Sequence, residues 1–163
     1  MIALFIGRFQ PFHKAHLHDV QLARKECKKV VIAIGSSQES GTPENPFSYM
    51  ERKDMITAAL KANHISAYTI VPVPDIHDDQ NWVEHVRSIV PHFDIVYTGN
   101  DFTDKLFAEK GIQVRKIELI PNINATEIRE RIIKDKDWRY LVPKEIAEEI
   151  IKLNGVEKIK DMH

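Results

Sequence analysis

The sequence holds a single cysteine, Cys27, among its 163 residues. It offers no intramolecular disulfide, which fits a reducing, cytoplasmic compartment. Neither sign of charge is in surplus: 23 basic against 24 acidic residues leave a formal net charge of -1. No global field therefore favours nucleic acid or an anionic membrane. No apolar run approaches the roughly 20 residues that span a bilayer, and "MIALFIG" is too short, and too soon followed by Arg8, for a signal peptide. Repeats, low-complexity tracts and linkers are missing as well. What is left, at 43% hydrophobic and 29% charged residues, is the composition of an ordinary globular protein. Its length predicts one domain over residues 1–163 with a proper core. Cys27 falls on the apolar side of a predicted helix and reads as a small buried hydrophobe.

What is present is an alternation of strands and helices. "IALFIG" (2–7), "VVIAIG" (30–35), "AYTIVPV" (67–73) and "FDIVYTG" (93–99) read as strands, with "IQVRKIEL" (112–119) as a weaker fifth. The first two are nearly continuous apolar runs, as parallel strands covered on both faces require. Helical patterns lie between them at 15–28, 48–63 and 81–90, the second opening with Ser48 and Glu51 in capping-box spacing. A helical segment follows from about 124, and a last helix opening at Pro143 ends before Gly155. The pattern predicts an α/β fold: an open parallel sheet with right-handed crossovers and helices on both faces. In such sheets ligands sit beyond the carboxyl ends of the strands, where 7–16, 35–48 and 99–101 all lie.

Three stretches carry candidate chemistry. In "GRFQPFHKAH" (7–16), Gly7 ends the first strand, and a helix begins near residue 14. A helix N-terminus is a ready anion site, and Arg8, His13 and His16 could donate to phosphate oxygens. A lone histidine there is more often a cap or surface residue, but two of them with an arginine behind a buried first strand favour a phosphate site. Zinc is disfavoured because the spacing supplies only two ligands. In "NINATEIRER" (122–131), Asn124 or Thr126 can cap a helix that carries Arg129 in an early turn. A cation there opposes the helix dipole, which suggests an anion for Arg129 to meet, or else a solvated face. In "DIHDDQNW" (75–82), Asp75, His77, Asp78 and Asp79 are either metal ligands or a solvated loop, and Trp82 is either a stacking platform or core. The polar loop 35–52 reads as a mobile flap, with Arg52 just beyond it.

Two of these stretches match known signatures. "GRFQPFHKAH" resembles the H-x-G-H motif of the nucleotidyltransferase superfamily, and "INATEIR" resembles its partner I-S-x-T-x-I-R. With "IGSSQ", "NPFSYMER", "NWVEHV", "YTGND" and "DWRYLVP", the chain resembles the archaeal-type nicotinamide-nucleotide adenylyltransferases from residue 2 to about 160. The resemblance implies a Rossmann-like fold and the reaction of ATP with nicotinamide mononucleotide (NMN) to give NAD and pyrophosphate. It places Gly7, Arg8, Phe9, His13, His16, Gly99, Asn124, Thr126 and Arg129 on ATP. Ser36, Ser37, Arg52, Asp75, Trp82 and Asn100 fall on NMN, with Trp82 stacked on the nicotinamide ring. It also implies magnesium carried with ATP rather than held by protein side chains, and a homo-oligomer, commonly a hexamer.

Two positions depart from the pattern: Ala15 stands for the usual glycine and Asn124 for the usual serine. The first puts a methyl beside the nucleotide; the second is an equally good cap. Other acceptors within the superfamily, FMN or phosphopantetheine, are the alternative, since FMN also offers a flat ring to Trp82. A non-catalytic nucleotide sensor and a metal hydrolase built on Asp75, His77 and Asp79 are the readings from other classes.

Overall fold

The computed structural model describes residues 1–163. Five parallel strands form one sheet: β1 (Ile2–Gly7), β2 (Lys29–Gly35), β3 (Tyr68–Val73), β4 (Ile95–Thr98) and β5 (Gln113–Lys116). Their order is β3-β2-β1-β4-β5. The chain builds outward from β1 in one direction as far as β3, then returns to the other side of β1 with β4. The topological switch therefore lies between β1 and β4, where the open-sheet rule puts a ligand.

Side-chain alternation explains the continuous apolar strands. Ala3, Phe5, Ile32, Ile34, Ile95 and Tyr97 point into a larger core on one face of the sheet. Leu4, Val31, Ala33, Val73 and Val96 point into a smaller core on the other. The larger core takes residues of α1 (Lys14–Glu26), α2 (Tyr49–Ala62), α5 (Ala125–Ile133), α6 (Lys144–Lys152) and α7 (Gly155–Asp161). The smaller one takes residues of α3 (Asp79–Ile89) and α4 (Asp101–Glu109). The fold is the predicted α/β sheet covered on both faces.

Cys27 is buried in the larger core, with Sγ 3.8 Å from the Tyr97 hydroxyl. Ser48 caps α2 in a full capping box with Glu51, as its spacing predicts. Two helices differ from expectation. α4 is an additional helix, capped by Asn100, whose side chain accepts from the Thr103 N–H at 3.0 Å. Gly155 is not the end of helical structure but the start of α7. A Cβ there would lie 2.9 Å from the Ile150 carbonyl oxygen, so the turn between α6 and α7 requires a residue with no side chain. No helix is long and apolar enough to cross a membrane.

Candidate active site

At the carboxyl end of the sheet two cavities meet. The first, of about 460 Å³, is bounded by the turns after β1, β2 and β3 and by α3 and α4. Gly7, Arg8, Ser36, Asp75, Trp82 and Asn100 line it. The second, of about 290 Å³, runs along α1 and is closed by the segment after β5. Its walls include Phe9, His13, Ala15, His16, Gly99 and Asn124. Ile6 and Asn100, at the ends of β1 and β4, belong to both. The topological switch is thus a shared wall with a compartment on either side.

His13 is the N-cap of α1 and His16 its third residue, and together they form a capping box made of imidazoles. The His16 N–H donates to His13 Nδ1 at 3.4 Å, and the His13 N–H donates to His16 Nδ1 at 3.2 Å. The rings stack with centroids 3.6 Å apart. Because each Nδ1 accepts, the one proton of each neutral ring sits on Nε2. Burial keeps both rings neutral: it lowers His13 to about 4, and lowers His16 well below the ordinary range with help from the neighbouring His13. Capping and phosphate binding are therefore compatible, since they use opposite ends of the same ring. With the His13 and His16 N–H groups satisfied by the box, those of Lys14 and Ala15 have no acceptor one turn back in the helix.

Three arginines lie near one another at this end of the sheet, and of the three only Arg8 lines a cavity. Arg8 is exposed on the rim. Arg129 is only 8% exposed, and its guanidinium donates to the Gln10 carbonyl at 2.8 Å. It is not the solvated arginine that its place in an early turn allowed. Burial, and then the charge of Arg8, hold the pKa of Arg129 below the ordinary guanidinium value. The same two causes bring Arg52 down to about 10. None of the three forms a salt bridge, and the charges of Glu44 and Glu130 offset only part of the repulsion at Arg129. A polyanion would relieve it.

Arg52 is a correction to the sequence reading. It is fully buried and lines neither cavity. Its Nε donates to the Ser48 carbonyl at 3.2 Å, and Nη1 to those of Arg8 and Gly35, both at 2.9 Å. Nη2 donates to the carbonyls of Ser36 at 3.2 Å and Glu39 at 3.5 Å. All of its donors are spent on backbone. It ties the turns after β1 and β2 together and has nothing left to offer NMN. The loop before it is tethered too: Gln10, 1% exposed, donates to the Phe47 carbonyl at 2.9 Å and accepts from the Phe47 N–H at 3.0 Å. It is not the free flap that its polar composition suggests.

The remaining candidates divide. Trp82 lines the first cavity and meets Phe107 edge-on at 5.6 Å, so one side packs on the core and another is open to a ligand. Ser36 lines that cavity with a left-handed φ of 45°, whereas Ser37 does not line it and donates its N–H to the Val73 carbonyl. Asn124, not Thr126, caps α5, accepting from the Glu127 N–H at 2.8 Å; Thr126 is exposed and lines neither cavity. The metal-ligand reading of 75–79 fails. No three of its acidic and imidazole groups converge, Asp78 is committed to capping α3, and Asp75 accepts from the His77 N–H. Unanticipated wall residues are Asp19, Thr98 and the stretch from Ile117 to Ile120. A Cβ at Gly99 would lie 2.7 Å from Leu119 Cδ2, the tip of an exposed side chain that can swing away, so glycine eases the close approach here without being required.

A compartmented site at the switch of a parallel sheet, with imidazole and guanidinium donors and no nucleophile, is that of a nucleotide-binding transferase. A family model for cytidylyltransferase-like proteins matches residues 4–131, and the chain belongs to that family. Nicotinamide-nucleotide adenylyltransferase from Thermococcus sibiricus is 43% identical over 164 residues, covering 98% of this chain and 88% of its own. The protein of that name from Methanococcus aeolicus is 41% identical over 165 residues, covering 100% and 95%. Among solved structures, a bifunctional NMN adenylyltransferase/ADP ribose pyrophosphatase from Francisella tularensis, complexed with AMP and a manganese ion, superposes with a TM-score of 0.81. It is 28% identical; the match covers 99% of this chain, which spans about half of that one (51%). At this identity and coverage the chain also belongs to the nicotinamide-nucleotide adenylyltransferases, a family of nucleotidyltransferases.

Proposed function

We propose that the chain transfers AMP from ATP to NMN by direct in-line attack, with ATP in the cavity along α1 and NMN in the cavity beside Trp82. A phosphate oxygen of NMN forms the new bond to the α-phosphorus at the shared wall, while the bond to the bridging oxygen of pyrophosphate breaks. No side chain needs to act as nucleophile, and no proton has to move in the bond exchange. The enzyme's work is positioning and neutralisation of the charge that builds on the leaving group. The Nε2–H groups of His13 and His16 donate to the ATP phosphates, Arg8 reaches them from the rim, and Arg129 meets the departing pyrophosphate. The observation that supports this reading is the stacked pair of imidazoles on the wall of one cavity, with Arg8 on the other, where the two cavities share a wall.

The donor set suits a divalent cation, magnesium in the first instance, that arrives on the triphosphate: no cluster of carboxylates or imidazoles would hold it alone. Such a cation adds charge neutralisation on the phosphates. Gly7 and Gly99 allow close approach, and Asn100 faces both nucleotides. Thr126, exposed in the first turn of α5, would reach ATP phosphates only across the rim. A homo-oligomer, with a hexamer expected, completes the proposal and is tested by mass in solution.

The decisive assay is pyrophosphate release from ATP and magnesium with NMN, nicotinic acid mononucleotide, FMN and phosphopantetheine supplied separately. Release with NMN, matched by NAD formation, is the expected result. Release with only FMN or phosphopantetheine would keep the phosphate site and overturn the acceptor. Silence throughout would leave a nucleotide sensor.

A further inference from the structure

Along the wall of the ATP-side cavity, α1 presents His16 and, one turn further on, Asp19. Asp19 also lines an adjoining cavity of about 460 Å³ bounded by the segment after β5, so it belongs to the wall that the two share. It is half-buried, and no hydrogen bond or ion pair in the structure uses it. The cations nearest along the wall, Arg115 and Lys116, are engaged elsewhere, with Glu26 and Asp101. The wall around it, Tyr97, Ile117, Leu119 and Ile120, is largely apolar. Burial alone pushes its pKa up to about 7, and no neighbouring charge offsets that. A carboxylate in this position lacks donors, and the bound substrate is what can bring them.

The spacing says which part of the substrate. One helical turn rises about 5.4 Å. If the phosphates lie over the N-terminus of α1, the sugar attached to the α-phosphate falls about one turn along, past the Ala15 methyl. We propose that Asp19 accepts hydrogen bonds from the ribose hydroxyls of ATP and thereby makes the enzyme selective for a ribonucleotide donor. This rests on the placement of ATP given above. Asp19 would be a specificity residue that touches substrate away from the reacting atoms.

The test compares ATP, 2′-deoxy-ATP, 3′-deoxy-ATP and inosine triphosphate as donors, with NMN and magnesium, in wild type, Asp19→Asn and Asp19→Ala. Wild type should prefer ATP over at least one deoxy analogue by tenfold or more in kcat/KM, because a site built to bind a hydroxyl rejects its absence. In Asp19→Ala that ratio should fall to about one, through a raised KM for ATP, with Asp19→Asn in between. The inosine ratio should not move. A ratio read within one variant is insensitive to a general loss of folded protein. Retained discrimination in Asp19→Ala overturns the proposal. So does a change confined to inosine triphosphate, which would put Asp19 on the base, or a change only in magnesium dependence, which would put it on the cation. A wild type inactive with ATP and NMN would instead overturn the function proposed above.

Discussion

At the start of α1 each imidazole lines the cavity and has two uses: Nδ1 closes the helix cap, and the proposed function draws on Nε2. His16→Ala would remove both at once. His16→Gln separates them, since an amide oxygen can still accept from the His13 N–H. That variant should unfold within about 1 kcal/mol of wild type in urea, yet turn over about a hundredfold more slowly. Equal loss of both would make His16 a structural residue. The same burial gives acid sensitivity. The unfolded histidine takes up its proton near 6.5, whereas folded His13 holds out to about 4. Below 6.5 the unfolded state therefore binds more protons, and stability of the free enzyme should fall as pH drops from 6.5 towards 4, with none of this loss above 6.5. Asp19 works in the opposite sense. Its folded pKa of about 7 lies above its ordinary value of 3.8, so its contribution is full below 3.8 and lost as pH rises through 7. Asp19→Asn should consequently melt higher than wild type at pH 8 and near it at pH 4. Thermal unfolding at the two pH values checks both signs.

At the scale of elements, β1, β2 and β4 were legible because burial on both faces leaves a nearly unbroken apolar signature, whereas β3, at the edge of the sheet, is mostly half-buried and carries a weaker one. Ser48 and Glu51 announced α2 because a capping box is local. α4 was missed although its cap, Asn100, and first-turn acids, Asp101 and Asp104, are written in the sequence. Its hydrophobic residues are split between core (Phe107) and cavity (Phe102, Leu106), which blurs the helical stripe. Arg52 could not have been placed from sequence. Its role depends on carbonyls of Arg8, Gly35, Ser36 and Glu39, which only the folded sheet brings together. His13 and His16 were legible as cavity-wall residues because they sit inside a short signature, whereas no local rule marks Gln10 within the same stretch or Asp19 just beyond it. Because so many carbonyls depend on it, Arg52→Met should destabilise by at least about 3 kcal/mol in urea. Arg52→Lys, with fewer donors, should recover part of that loss and part of the activity.

For the whole molecule, the two cavities make substrate binding separable. Trp82 touches only the first, so Trp82→Ala should raise KM for NMN and leave KM for ATP within about twofold of wild type. Asn100 stands in both walls. Asn100→Ser, which keeps a side-chain oxygen to cap α4, should raise both constants together. A Trp82 effect spread equally over the two substrates would remove the stacking role.

The strand order carries one more consequence, for assembly of the chain in time. β1 is first in sequence yet central in the sheet, with β2 on one edge and β4, about ninety residues later, on the other. While the chain is being made, β1, β2 and β3 can pair early, but Ala3, Leu4 and Phe5 must wait for Ile95, Val96 and Tyr97. Until then β1 presents an open edge of apolar residues, the kind of surface on which nascent chains stick to one another. The strand that leads into the candidate site is thus also one whose pairing waits on a distant partner, a contact of the kind that slows folding.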